Sequence, residues 1–275
     1  MIKRIFWFLI IAGILCYLYA TKLGIKGLDV HEYVIDSETI PNNYNGFTIA
    51  HFSDLLYGST TNIDDVYKLV DKINAYNPDI VVFTGNLIDN EKDLEKDEKD
   101  KLIAALKNIN PKQKKFAIYS SMDEIKINRF KEIMDAAEFK ILDNKNDLVF
   151  RNDNAPLLIA GVTDISKIEE TLKNDTESFF KIALIHKSDD ADKIVNNGLD
   201  AIFAGGSLGG LVKVPFIGGI FKQDGASKYL DGRYKLSNET ELFVSSGLGT
   251  YNQHFRALNK PSFNIYKLYN KTNAD

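Results

Sequence analysis

Three things are scarce in this 275-residue sequence: cysteine, an excess of positive charge, and linker-like segments. A single cysteine, Cys16, excludes a disulfide within one chain and any cysteine-based metal site. The net charge of −4 gives no electrostatic reason to bind nucleic acid. No repeat, proline-rich linker or low-complexity stretch divides the body of the chain, so we expect one domain there.

Charge is also missing from the N-terminal segment IFWFLIIAGILCYLYA, Ile5–Ala20, which follows a positively charged MIKR. These sixteen residues fall slightly short of the ~20 that a transmembrane helix needs, and a snorkelling Lys22 extends them. We predict that residues 1–27 form an uncleaved single-pass anchor, with the membrane as a partner through residues 5–20. The positive-inside rule then puts the body outside the cytoplasm. A cleaved signal peptide is the alternative, although LYA is a poor cleavage site.

The rest of the chain alternates strands with helices. The predicted strands are FTIAHFS, DIVVFTG and KFAIYS. Between the first two, apolar residues recur with a helical period that begins after a plausible N-cap, Asn62. This order predicts a layered α/β domain with a largely parallel sheet. A second, more mixed sheet packed on the first is predicted from the segments PLLIAGV, KIALIH, DAIFAG, ELFVSSG, SKYLDGRYKL and SFNIYKLY.

In such folds ligands bind beyond the carboxyl ends of the strands. The segments at those ends are FSDLLYGS, VVFTGNLID, IYSSMDE, IALIHKS, IFAGGSLGGLVKVPFIG and LFVSSGLGT. In order and spacing they resemble degenerate forms of the calcineurin-like metallophosphoesterase motifs, which are DxH, GDxxD, GNHD/E, a lone H and GHxHGGQ. The chain is most similar to the membrane-anchored bacterial branch, through its anchor, its IP…GF lead-in and its closing GLGT……R. The resemblance covers about residues 28–268.

The resemblance implies a fold and a chemistry. The fold is a sandwich of two packed mixed β-sheets flanked by helices over residues 28–270, with an N-terminal transmembrane helix. In the family, two divalent metals bridged by one carboxylate activate a water and clamp the phosphoryl oxygens. Carboxylate, imidazole and asparagine ligands suit Mn, Fe or Zn.

Carried over residue by residue, the resemblance leaves two metal-ligand positions intact, Asp54 and His186, and puts Asn86 where the bridging aspartate belongs. The other family positions hold different residues: Leu56 and Met122 for histidine, Ser121 for asparagine, and Gly206 and Leu208 for the two histidines of GHxH. In the family, the two intact positions serve different metals. A neutral amide supplies no charge to hold two dications, and an open catalytic site needs about three protein ligands.

The resemblance therefore predicts a non-catalytic member of the fold that needs no cofactor and has a binding, scaffold or regulatory role toward a protein or small ligand. The alternative is an atypical phosphoesterase that binds Mn, Fe or Zn weakly through Asp54, Asn86, Asp123 and His186. Purely structural roles also stay open, in which Asp54 bonds loop amides, His186 is a core histidine, and the apolar substitutions fill the site.

The loop GGSLGG matches GHxHGG without its histidines, and Gly205, Gly209 and Gly210 are expected to shape the turn. The loop also contains G-x-S-x-G around Ser207. A hydrolase triad with Asp224 or Asp231 and His254 would need a helix directly after the serine, and LVKVPFIGG is unsuited to a helix. We therefore disfavour a serine hydrolase.

Overall fold

The computed structural model describes residues 1–90, 92–151, 155–173, 180–251 and 253–273. The helices are α1 Ile2–Leu18, α2 Ile63–Ala75, α3 Lys96–Lys107, α4 Ser121–Glu124, α5 Ile127–Ala136, α6 Ile168–Leu172 and α7 Ala191–Ile194. The strands are β1 Asp29–Ser37, β2 Phe47–Phe52, β3 Ile80–Phe83, β4 Lys114–Ala117, β5 Lys140–Ile141, β6 Lys145–Val149, β7 Leu157–Gly161, β8 Phe180–Lys187, β9 Ala201–Gly205, β10 Lys213–Val214, β11 Gly218–Gly219, β12 Gly232–Lys235, β13 Glu241–Val244 and β14 Ser262–Asn270.

The strands form two six-stranded sheets and one short hairpin, β10–β11. The first sheet has the order β1-β14-β2-β3-β4-β5, and the second β12-β13-β9-β8-β7-β6. Within the first sheet, β2 to β5 are parallel and β14 runs antiparallel to β2. In the second, β7, β8, β9 and β13 are parallel, with antiparallel β6 and β12 at the edges. These two mixed sheets confirm the predicted fold class. The segment SFNIYKLY, expected in the second sheet, is instead part of β14 in the first, because it pairs with β1 and β2.

The two sheets pack face to face through an aromatic core. Phe203 of the second sheet stacks on Tyr266 of the first with ring centroids 4.1 Å apart, and Phe243 meets the same tyrosine edge-on. The outer face of the first sheet is covered by α2, α3 and α5, and that of the second by α6 and α7. Every residue of β2 and β3 is buried, as expected for strands covered on both faces.

Local sequence signals explain where elements begin and end. Asn62 is the N-cap of α2, as predicted, and its side chain accepts hydrogen bonds from the N–H groups of Asp64 and Asp65. Of the predicted strand SKYLDGRYKL, only Gly232–Lys235 is a strand. The preceding residues bond elsewhere, because their N–H groups donate to the carboxylate of Asp189 instead of to a neighbouring strand.

The N-terminal apolar helix stands apart from this core. It continues past α1 to Leu23. The resulting helix of 22 residues is long and apolar enough to cross a membrane, and it is not buried against the body. A signal sequence has the same features. Its end contacts the body where the N–H of Arg256 donates to the carbonyl of Ala20 at 3.0 Å.

A buried histidine between the sheets makes stability depend on pH. His51 is fully buried, with Nδ1 3.0 Å from the hydroxyl of Tyr266 and Nε2 2.9 Å from that of Thr84. Burial lowers the pKa of His51 to about 3. Below pH 6.5 the unfolded chain therefore binds a proton that the folded chain does not, and stability falls as the pH falls toward 3.

We predict that wild type loses about 2 kcal/mol more unfolding free energy than His51→Gln between pH 7 and pH 5. Urea unfolding of the detergent-solubilised chain at both pH values measures this difference. His254→Gln, which alters an exposed histidine, serves as the control and should follow wild type. Equal losses in wild type and His51→Gln would contradict the prediction.

Candidate functional site

Loops at the carboxyl ends of the parallel strands surround one cavity of about 380 Å³. Its walls bring together residues that are far apart in sequence and that the motif resemblance singles out: Asn86, Ser121, Met122, His186, Gly206 and Leu208. Asn90, Ile125, Lys187, Gln223, Asp224 and Tyr251 complete the lining. Asp54 and Leu56 lie in the neighbouring wall, both fully buried.

The carboxylate of Asp54 is held on both oxygens. Oδ1 accepts a hydrogen bond from the side-chain amide of Asn86 at 2.7 Å, and Oδ2 accepts one from the N–H of Gly206 at 2.9 Å. The β2 and β9 loops are thus joined through one buried carboxylate. Charge-assisted hydrogen bonds of this kind are stronger than those between neutral groups.

The side-chain amide of Asn86 also forms a hydrogen bond with the loop after β4. Its Oδ1 accepts a hydrogen bond from the hydroxyl of Ser120 at 2.6 Å. Next to that serine, Asp123 accepts hydrogen bonds from the N–H groups of Asn86, Leu87 and Ser120 at 2.7 to 2.9 Å. Burial raises the pKa of Asp123, and these donors oppose the rise. The predicted candidate Asp123 is therefore engaged in joining the β3 and β4 loops.

Ser120 is the residue of this network that sequence reasoning missed. The motif match drew attention to Ser121, which is exposed at the cavity edge, rather than to its neighbour. The available signal was S-x-x-D in SSMD, a capping-box pattern, and Ser120 does cap α4 with Asp123 as its partner.

Among the described residues, one ring nitrogen of His186, Nε2, has no hydrogen-bond partner. Its Nδ1 lies 2.7 Å from the carbonyl oxygen of Thr84, which can only accept, so Nδ1 is the donor in this hydrogen bond. Gly206 lies beside this ring with φ of +72°, and a Cβ there would come within 2.9 Å of the His186 carbonyl oxygen. Any side chain at position 206 would thus be strained as well as crowded.

Apolar side chains occupy the wall behind the cavity. Leu56, Leu208 and Leu211 form a small buried cluster, against which Met122, Tyr251 and Phe255 pack. Leu56 and Leu208 have φ of +45° and +52°, a left-handed conformation that is unusual for leucine, and Asp54 and Asn86 share it at +51° and +60°. Four of the twelve non-glycine residues with positive φ in the described chain therefore lie at positions that the motif comparison aligns with metal ligands.

A buried cation lies near Asp54. Arg256 is fully buried, and its Nη2 donates to the carbonyl oxygens of Ser246 and Gly249 at 2.9 and 2.7 Å. Burial lowers the pKa of Arg256 to about 10, against the opposing influence of the Asp54 charge. The guanidinium therefore stays charged at neutral pH and offsets the negative charge of the site.

The glycine loop serves packing, and the serine triad is not assembled. A Cβ at Gly205 would overlap the side chain of Ser53, while Gly209 and Gly210 have φ of +57° and +68°. The members of the disfavoured triad each have other partners: Ser207 bonds the carbonyl of Leu230, His254 bonds Ser59, Asp224 pairs with Lys187, and Asp231 pairs with Lys213. Within the described ranges, no three His, Cys, Asp or Glu residues group closely enough to hold a metal ion.

Known proteins resemble the chain over most of its length, although no family model matches it. The metallophosphoesterase YkuE of Bacillus subtilis is 28% identical over 258 residues, which cover 92% of this chain and 89% of that protein. The metallophosphoesterase Cj0846 of Campylobacter jejuni is 28% identical over 84% of this chain, and a zebrafish transmembrane protein with a metallophosphoesterase domain is 22% identical over 79%. The matched regions span 62% and 52% of those two proteins.

Solved structures resemble the chain more distantly. A dimetal phosphatase from zebrafish aligns over 82% of this chain and 93% of its own with a TM-score of 0.42 and 10% identity. The Thermus thermophilus sulfate thiohydrolase SoxB aligns over 76% and 53% with a TM-score of 0.48 and 9% identity. Support for a family comes instead from the ordered motifs and from the match to YkuE, which spans nearly the whole of both chains: the chain is similar to the metallophosphoesterases.

Proposed function

We propose that this chain is a non-catalytic metallophosphoesterase-fold protein, anchored in a membrane, whose cavity binds a ligand or protein partner. The observation that carries the proposal is the hydrogen bond from the Asn86 amide to Asp54. In the family, a carboxylate at the position of Asn86 would bridge two metal ions. Here an N–H group points at the Asp54 oxygen that a cation would need.

The side chains present do not fit a pair of divalent ions. Both oxygens of Asp54 and the amide oxygen of Asn86 already accept hydrogen bonds from the protein. Leu56 and Leu208 fill the adjoining wall with hydrocarbon. His186 is left with one nitrogen free to ligate, whereas an open catalytic site needs about three protein ligands.

Fixed protein groups supply the positive charge and the hydrogen-bond donors that would stabilise the Asp54 carboxylate in place of metal ions. The Asn86 amide and the Gly206 N–H contact the Asp54 carboxylate directly, and the buried Arg256 supplies a full positive charge nearby. Such groups stabilise a buried anion without a bound cation. We therefore expect the site to keep its shape without a bound metal.

The competing function is an atypical metal-dependent phosphoesterase using Asp54, Asn86, Asp123 and His186. The free Nε2 of His186 at the cavity wall is the feature that favours it. The Asp123 carboxylate argues against this function, because it already accepts hydrogen bonds from three backbone N–H groups. Metal content separates the two functions.

We propose further that Ile5–Ala20 remains attached and holds the body outside the cytoplasm. The charges of Lys3 and Arg4 precede the apolar helix, which favours a cytoplasmic N-terminus. The zebrafish relative is itself named a transmembrane protein. Residues 28–270 then form one extracytoplasmic domain.

We predict that wild type carries well under one equivalent of Mn, Fe or Zn, whereas a rebuilt variant binds at least one equivalent of Mn. The rebuilt variant carries Leu56→His, Asn86→Asp, Ser121→Asn, Met122→His and Leu208→His. It leaves Gly206 unchanged, because a histidine there would be strained and would crowd His186. Elemental analysis and the Mn-induced shift in Tm measure both proteins, since a bound metal stabilises the folded state in proportion to its affinity.

The matched control adds Asp54→Asn to the rebuilt variant, which should abolish the Mn-induced shift. Two equivalents of metal in wild type, or Mn-dependent phosphodiester hydrolysis that His186→Ala abolishes, would contradict the non-catalytic proposal. A folded rebuilt variant that takes up no Mn would contradict the residue-by-residue match.

For the anchor, we predict that protein made in bacterial cells keeps its N-terminal helix and resists extraction by high salt. Protease added to spheroplasts should degrade the body while a cytoplasmic marker survives. Lys3→Glu with Arg4→Glu should reduce this digestion, because the charges that set the orientation are reversed. A mature N-terminus near Thr21 would show cleavage, and a protected wild-type body would show the opposite orientation.

A further inference from the structure

The hairpin β10–β11 carries the most exposed apolar side chains of the described body. Phe216 at its tip is fully exposed and Ile217 is 74% exposed. Three more large apolar residues extend the patch: Ile220, Phe221 and Leu258 are 45%, 39% and 62% exposed. We call these five residues the apolar tip. Monomeric soluble proteins rarely expose several large apolar side chains so close together, so the patch points to a partner.

The apolar tip is joined to the segment that also contacts the N-terminal helix. The N–H of Lys213 donates to the carbonyl of Ala257 at 3.0 Å, and the ring of Phe221 meets that of Phe255 with centroids 5.2 Å apart. In the same segment, the N–H of Arg256 donates to the carbonyl of Ala20 at the end of the helix. The hairpin and the end of the membrane helix thus flank one short stretch of chain.

We propose that the apolar tip inserts into the bilayer that the N-terminal helix crosses, giving the body a second point of membrane attachment. The proposal rests on the anchor proposed above. Phenylalanine and isoleucine are suited to the boundary between headgroups and acyl chains, and the exposed Lys222 beside them can meet anionic headgroups. The short path from Ala20 to the hairpin makes the bilayer the nearest apolar phase available.

Insertion would also set the position of the cavity. One residue after Phe221, the chain reaches Gln223 and Asp224, which line the cavity. With two attachments the body cannot swing freely on its anchor. The cavity mouth is then held at the level of the lipid headgroups.

The test uses the fact that the chain has a single tryptophan, Trp7, which lies in the anchor. In a full-length Trp7→Phe background, Phe216→Trp places one tryptophan at the tip. The matched control is Phe150→Trp. Phe150 is also an exposed phenylalanine, but it follows β6 at the amino ends of β7 and β8, opposite the cavity. Both proteins are reconstituted into vesicles of phosphatidylcholine and phosphatidylglycerol, with and without brominated acyl chains.

We expect brominated lipid to reduce the emission of Phe216→Trp about twofold and the vesicles to shift it to shorter wavelength, with neither effect in Phe150→Trp. Equal emission of the two variants in vesicles that retain the protein would overturn the inference and leave the anchor standing. The tip would then cover a protein surface or a second copy of the chain. Protein that is washed out of the vesicles by high salt would overturn the anchor and, with it, the inference.

Discussion

The buried carboxylate of Asp54 is the group on which the arrangement of the site depends. It lies in a fully buried, left-handed turn directly after β2 and joins the β3 and β9 loops through the Asn86 amide and the Gly206 N–H. An unpaired charge at such a place would destabilise the fold by several kcal/mol. Two hydrogen bonds and the nearby Arg256 guanidinium stabilise the charge of Asp54. Hydrogen bonds thus hold the loops after β2, β3 and β9 to one another.

The backbone next to this carboxylate is strained. The backbone at Leu56 and Leu208 keeps a left-handed conformation that leucine itself does not favour. The apolar cluster that these leucines form with Leu211 compensates by removing hydrocarbon from water. Burial thus offsets backbone strain at two positions of the candidate site.

The sequence predicted the fold well and the site only in outline. Buried runs such as β2 and the N-cap Asn62 are local signals, and the structure confirms both. The contact of Asn86 with Ser120 could not be predicted, because it joins residues 34 apart through the pairing of β3 with β4. Arg256 is the arginine of the closing GLGT……R, but no local pattern predicts that it is buried. The predicted strand before Gly232 was partly wrong, because its N–H groups donate hydrogen bonds to Asp189, which is distant in sequence.

The central claim is that a hydrogen bond between Asn86 and Asp54 stands where metals would otherwise be needed. The most direct measurement is the unfolding free energy of Asn86→Asp against wild type in EDTA, from pH 7 down to pH 4. We expect the variant to be about 2 to 4 kcal/mol less stable at pH 7, because two buried carboxylates then face each other. The deficit should shrink as the pH falls and the pair takes up a proton. A variant as stable as wild type at pH 7 without metal would contradict the account.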